Sequence, residues 1–147
     1  MPRRSDWQIR IKGVERRHAV AQLAISRLME SARKDPTVLI GDMKFRDVVN
    51  AANDLEGTYL IRLFAEFETG LRLCSETRRS TNPPAKDLLD SIVALCDISE
   101  EHRDNAHAVR EYRNSLVHER EEELPPISIA EARSYLCCFF SKLPNEW

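Results

Sequence analysis

The sequence predicts an all-α protein, a single-domain up-and-down bundle of five to six helices. Three observations carry that prediction. Apolar residues recur at spacings of three and four almost throughout the chain, the period of a helix face. No stretch alternates apolar and polar residues as a half-buried strand would. The glycines number only four and stand singly, so nothing reads as a repeat or a turn-rich sheet. A length of 147 residues suits one domain, 1–147, with its core expected between about residues 14 and 143.

The first helix is expected from Val14 to Lys34, with Val14, Ala21, Ile25, Leu28 and Ala32 on one face. Asp35-Pro36 ends it, because a residue before proline is pushed out of the helical region. A second segment opens near Asp42, a plausible N-cap, and carries Phe45, Val48, Ala52 and Leu55. Gly57 either breaks it or is tolerated. The third runs from Thr58 to about Arg79 on the stripe Leu60, Phe64, Phe67, Leu71 and Cys74. Its outer face carries Arg62–Glu66 and Glu68–Arg72 at i,i+4 spacing. Asn82 as N-cap and Pro83 at the first helical position open a fourth helix through Cys96, with Leu88, Leu89, Ile92 and Leu95 inward. Ser99, followed by Glu100 and Glu101, starts a fifth with Ala106, Val109, Tyr112, Leu116 and Val117 on its apolar side. The last begins at the capping box Ser128–Glu131 and buries Ala132, Leu136, Phe139 and Leu143. The third and fifth segments are expected to form the central pair.

Composition narrows the function classes. A net charge of −2 gives no global basic field, so contact with nucleic acid has to be local. Positive charge is mostly arginine, which suits bidentate phosphate contact and also surface ion pairs. The four cysteines make no CxxC and no zinc spacing. Cys137 and Cys138 sit in an apolar helical pattern, as small core residues do. A reducing, cytoplasmic setting is the expectation. "MPRRSDWQIRIKG" has no apolar leader core, and "TYLIRLFAEF" is broken by Arg62 and Glu66 far short of a membrane span. No metal and no cofactor are expected. His102 and His107 are five apart and lack ligand partners at suitable spacing.

The stretch "REYRNSLVHE", residues 110–119, concentrates the candidate chemistry. Arg110, Asn114 and His118 share a face at i, i+4, i+8. Arg113 and His118 are five residues apart, about 140° around an ideal helix. A site using both needs a swung arginine, a distorted helix or a second subunit. Chemically, a histidine beside an arginine is what metal-independent RNA cleavage requires. The imidazole takes the proton of a ribose 2′-hydroxyl. The guanidinium holds the phosphate and offsets charge that develops on it. Asn114 orients the histidine or contacts the phosphate.

Arg113-Asn114-x3-His118 resembles the R-x4-6-H motif of the HEPN superfamily, in which asparagine often follows the arginine directly. The long segment "TYLIRLFAEFETGLR" precedes it at the expected place and resembles the RiboL-PSP type of HEPN domain in particular. The resemblance covers residues 14 to 143, although only the Arg–Asn–His run is sharp. It implies a helical bundle, commonly a homodimer, whose two motifs meet to form one composite ribonuclease site. It further implies cleavage of RNA without a metal, leaving a 2′,3′-cyclic phosphate, in a toxin or antiviral defence effector that an antitoxin or other protein partner restrains. Arg113 and His118 are then the catalytic pair, supported by Asn114; Asn114 and Arg110, on the face they share with His118, are the candidate substrate-binding residues. Some members have lost catalysis and serve as modules that bind RNA or a partner protein, which is the alternative function. The acidic run at residues 119–123 departs from the pattern, since it repels RNA, and the expectation is that it faces away from the site or is covered by a partner.

Other residues have blander readings. Glu66 and Glu68 could orient His118, but an ion pair with Arg62 or Arg72 is the commoner use. Arg78-Arg79 complements a helix C-terminus, and a role on an RNA backbone is the minority reading, as for Arg16-Arg17-His18. Trp7 and Trp147 are expected to anchor the chain ends or to pack at a dimer contact.

Overall fold

The computed structural model describes residues 2–76, 82–118 and 123–147. Five α-helices follow one another: α1 (Arg4–Lys34), α2 (Phe45–Glu76), α3 (Ala85–Cys96), α4 (Glu100–His118) and α5 (Ile129–Phe140), with a 3-10 turn at Pro36–Val38. No strand occurs among the described residues, and the all-α bundle is the fold. No described helix is long and apolar enough to cross a membrane.

Two boundaries differ from the periodicity. α1 starts at Arg4, ten residues before Val14, because Trp7 and Ile11 continue the buried face of Val14 upstream. The Arg3 backbone N–H donates to Asp6 Oδ2 at 3.0 Å and closes that first turn. The second and third segments are one helix of 32 residues that runs straight through Gly57. Its start is fixed by Asp47, whose Oδ2 accepts from Lys44 N at 2.8 Å, rather than by Asp42. Asn82 does not cap α3. Its Oδ1 instead accepts from Arg72 Nη1 at 2.6 Å, and Pro84 precedes the first turn. The capping box at Ser128 is present: Glu131 N donates to Ser128 Oγ and Ser128 N to Glu131 Oε2, both at 3.1 Å. The expected end at Arg79 lies outside the described residues.

The core lies at one end of the molecule. Phe64, Phe67, Phe139 and Phe140 are fully buried, with Phe67 edge-on to Phe139 at 5.5 Å and to Phe140 at 5.2 Å. Trp147 stacks on Phe140 at 6.3 Å, and Trp7 closes the cluster from α1. Both tryptophans are therefore end anchors inside this chain. The last half of α2 is central as expected, but the most extensive neighbour of α2 as a whole is α1 rather than α4. Leu95 and Val117, read as inward, stay 47% and 43% exposed. Cys138 is exposed as well, while Cys137 is half-buried and its thiol is pushed up by that burial.

α1 and α2 are antiparallel, with Trp7 against Gly70, Arg10 3.9 Å from Glu66, His18 edge-on to Tyr59 at 5.7 Å and Arg33 over Phe45. At 1.5 Å per residue α1 is about 46 Å long, far longer than the 12 residues of α3 or α5. The surplus forms a two-helix arm. Between Ala19 and Ser31, and between Val49 and Tyr59, no side chain is fully buried.

Candidate anion site on α4

Helix α4 holds the Arg–Asn–His cluster. Its N-terminus carries Glu100 and Glu101 where the helix dipole favours anions, and Ala106 and Val109 seat it on the core. The helix is α through His118, so no local distortion draws Arg113 and His118 onto one face. The angle of about 140° between them stands.

Arg113 lies on the side of α4 that faces α2. Its guanidinium carbon sits 5.8 Å from the centre of the Phe64 ring. Nη1 donates to Asn114 Oδ1 at 3.0 Å, and Nε is buried with no acceptor. The other half-buried arginines are satisfied. Arg72 pairs with Glu68, Arg103 with Asp104, Arg110 with Glu111 and Arg133 with Glu15. Arg4 gives Nη1 to the carbonyls of Ser141 and Leu143 at 2.9 Å. Among the described residues Arg113 alone of this group meets only a neutral side-chain acceptor. A guanidinium with part of its hydration removed and no carboxylate attracts a diffusible anion.

His118 is exposed at the end of α4 and has no hydrogen-bond partner among the described residues. Asn114 is committed to Arg113 rather than to the histidine. Arg110 is also engaged: Nε donates to His107 Nδ1 at 3.2 Å and Nη2 to Glu111 Oε1 at 3.3 Å. Nδ1 of His107 thus accepts, and its Nε2 lies 2.8 Å from Asp90 Oδ1. The chain Asp90–His107–Arg110 ties α3 to α4. Spacing along one helix could not reveal it, because Asp90 comes from another helix. Phe64 as the platform for Arg113 is hidden for the same reason.

Glu66 and Glu68 are spent elsewhere. Glu66 meets Arg10 of α1 rather than Arg62, and Glu68 holds Arg72 as the i,i+4 spacing suggested. His18 is buried against Tyr59, which removes it from any nucleic-acid surface, while Arg16 and Arg17 remain exposed. Arg78-Arg79 and most of the acidic run lie outside the described residues. A cleft of about 390 Å³ opens beside α4, between Asn53, Asp54 and Ile61 of α2 and Tyr112 and Leu116 of α4.

Comparison with known protein families, with curated proteins and with solved structures gives no match.

Proposed function

We propose that the chain is a metal-independent endoribonuclease of HEPN type, working as a homodimer in which two α4 helices complete one site. One observation supports it most: Arg113 is half-buried, carries its charge against Phe64 and has no carboxylate among the described residues. Such a group is set to receive a phosphate. A titratable imidazole stands five residues on, exposed and unengaged.

The reaction balances with these groups. His118 takes the 2′-hydroxyl proton, and the 2′-oxygen attacks phosphorus to form the cyclic phosphate. The bond from phosphorus to the 5′-oxygen breaks, and the second copy's His118, in its protonated form, returns a proton to that leaving oxygen. Arg113 binds the non-bridging oxygens and offsets their charge in the transition state. Asn114 holds Arg113, and Arg110, on the same helix face as Asn114 and His118, is already shared between His107 and Glu111. The wide angle between Arg113 and His118 within one helix is the reason for assigning the second copy a part. Toxin or defence activity follows from the family resemblance alone.

The same wide angle favours a second reading, a helical module that binds RNA or a protein through Arg113 without cutting. One experiment separates the two. Purified protein, Arg113→Ala and His118→Ala are incubated with mixed single-stranded and transfer RNA in EDTA, and product ends are analysed. Cleavage leaving cyclic phosphates should fall about 100-fold or more in each variant. RNA retained in a gel-shift assay by wild type and lost in Arg113→Ala, with no cleavage by any form, would establish the module instead.

A further inference from the structure

The buried face of α1 is made by Trp7, Ile11, Val14, His18 and Ala32. On the opposite side a second pattern runs along the same helix: Ile9, Gly13, Arg16, Val20, Leu23 and Arg27. Their steps alternate four, three, four, three, four, the spacing of a coiled-coil seam. On an ideal helix all six fall within an arc of about 80°, centred almost diametrically opposite the core face. The apolar members are open to solvent, Ile9 at 59%, Val20 at 70% and Leu23 at 53%. Part of the stripe lies on the arm, where α1 is backed by α2 alone, so no other described helix covers it.

The seam is basic as well as apolar. Arg16 and Arg27 bracket the Val20–Leu23 centre, and Lys12 flanks the seam one turn before Arg16. None of the three has an ion-pair partner among the described residues, whereas Glu30, the acidic group at the far end, is taken by Lys34 at 3.2 Å. A second copy fits this seam badly. Antiparallel pairing about the Val20–Leu23 centre sets Arg16 against Arg27, and parallel pairing sets each arginine against itself. Like charges in register oppose assembly. RNA would leave the apolar centre unused, and a membrane surface would gain three aliphatic side chains and no aromatic one.

We propose that the outer face of α1 is a docking surface for an amphipathic helix of another protein, one with an apolar seam and acidic residues facing Arg16 and Arg27. The surface is separate from the α4 cluster and does not depend on the ribonuclease reading.

Two synthetic helical peptides, each about three heptads long with the same leucine seam, serve as probes. One carries Glu and the other Lys at the positions that face Arg16 and Arg27. Fluorescence anisotropy with the full chain should show the Glu peptide binding about tenfold more tightly, the scale of two exposed pairs changed from like to opposite sign. In Arg16→Glu/Arg27→Glu the preference should invert, and Val20→Asp/Leu23→Asp should bind neither peptide. All of these positions are exposed, so thermal melts should stay near wild type. Equal affinity for both peptides, or a preference that survives charge reversal, overturns the proposal. So does self-association in light scattering that Val20→Asp/Leu23→Asp abolishes, or binding of RNA or anionic vesicles that this variant loses.

Discussion

Gly57 and Gly70 both lie inside α2, and their surroundings predict opposite results on substitution. A Cβ at Gly70 would come within 2.8 Å of Phe140 Cζ and 2.9 Å of Trp7 Cδ2, closer than ring atoms tolerate. Gly70→Ala should lower stability by about 1–3 kcal/mol through that overpacking. A Cβ at Gly57 would meet the Leu116 methyls at 3.5 Å, an ordinary contact, on backbone that is already helical. Gly57→Ala should therefore raise stability by about 0.5–1 kcal/mol, because it removes conformational freedom from the unfolded chain. Thermal or urea unfolding of both variants checks the pair. Arg113 belongs to the same scale. Its neighbours are an aromatic ring and an amide, and that setting, rather than its place in a motif, leaves its charge available.

Among the elements, α5 shows how local chemistry and packing combine. Ser128 and Glu131 satisfy the first turn reciprocally, and Glu56 Oε1 from α2 accepts from Ile129 N at 2.9 Å. Arg133 then reaches Glu15 at 2.6 Å and ties the helix to α1. Ser128→Ala should cost about 1 kcal/mol in urea unfolding, the ordinary worth of an N-cap. This helix was legible beforehand because both capping partners lie within four residues. The merger of the second and third segments was not, since a glycine in a helix costs little and the sequence does not show what lies opposite it. The early start of α1 could have been read from Trp7 and Ile11, which extend the Val14 face by one turn each. For the candidate site the Arg–Asn–His cluster was visible and its surroundings were not. Phe64, Asp90 and the satisfied state of Arg110 all depend on packing between helices distant in sequence.

At the scale of the whole molecule, mass and contact are unevenly distributed. Aromatic packing joins α1, α2, α5 and the C-terminal Trp147 at one end, where Arg3 and Glu146 pair and Trp147 N donates to the Pro2 carbonyl at 3.3 Å. The first and last described segments are thereby held together beside the core, with Trp147 buried in it. The α4 cluster sits on the flank of this block. The basic, apolar outer face of α1 leads away from it along the arm. The two surfaces are therefore physically distinct, and variants of one should leave the other's readout unchanged.

The arm has a consequence for how the protein opens. Residues 19–31 and 49–59 form helical hydrogen bonds with little apolar burial to back them. Their amide protons should exchange with deuterium through partial opening, well before those around Phe64 and Leu71 that await global unfolding. Exchange followed by mass spectrometry should resolve two kinetic classes along the same two helices, with their border near His18 and Tyr59. A helix seated on Val20 and Leu23 would slow the faster class, so the rate at which the arm breathes would report its occupancy.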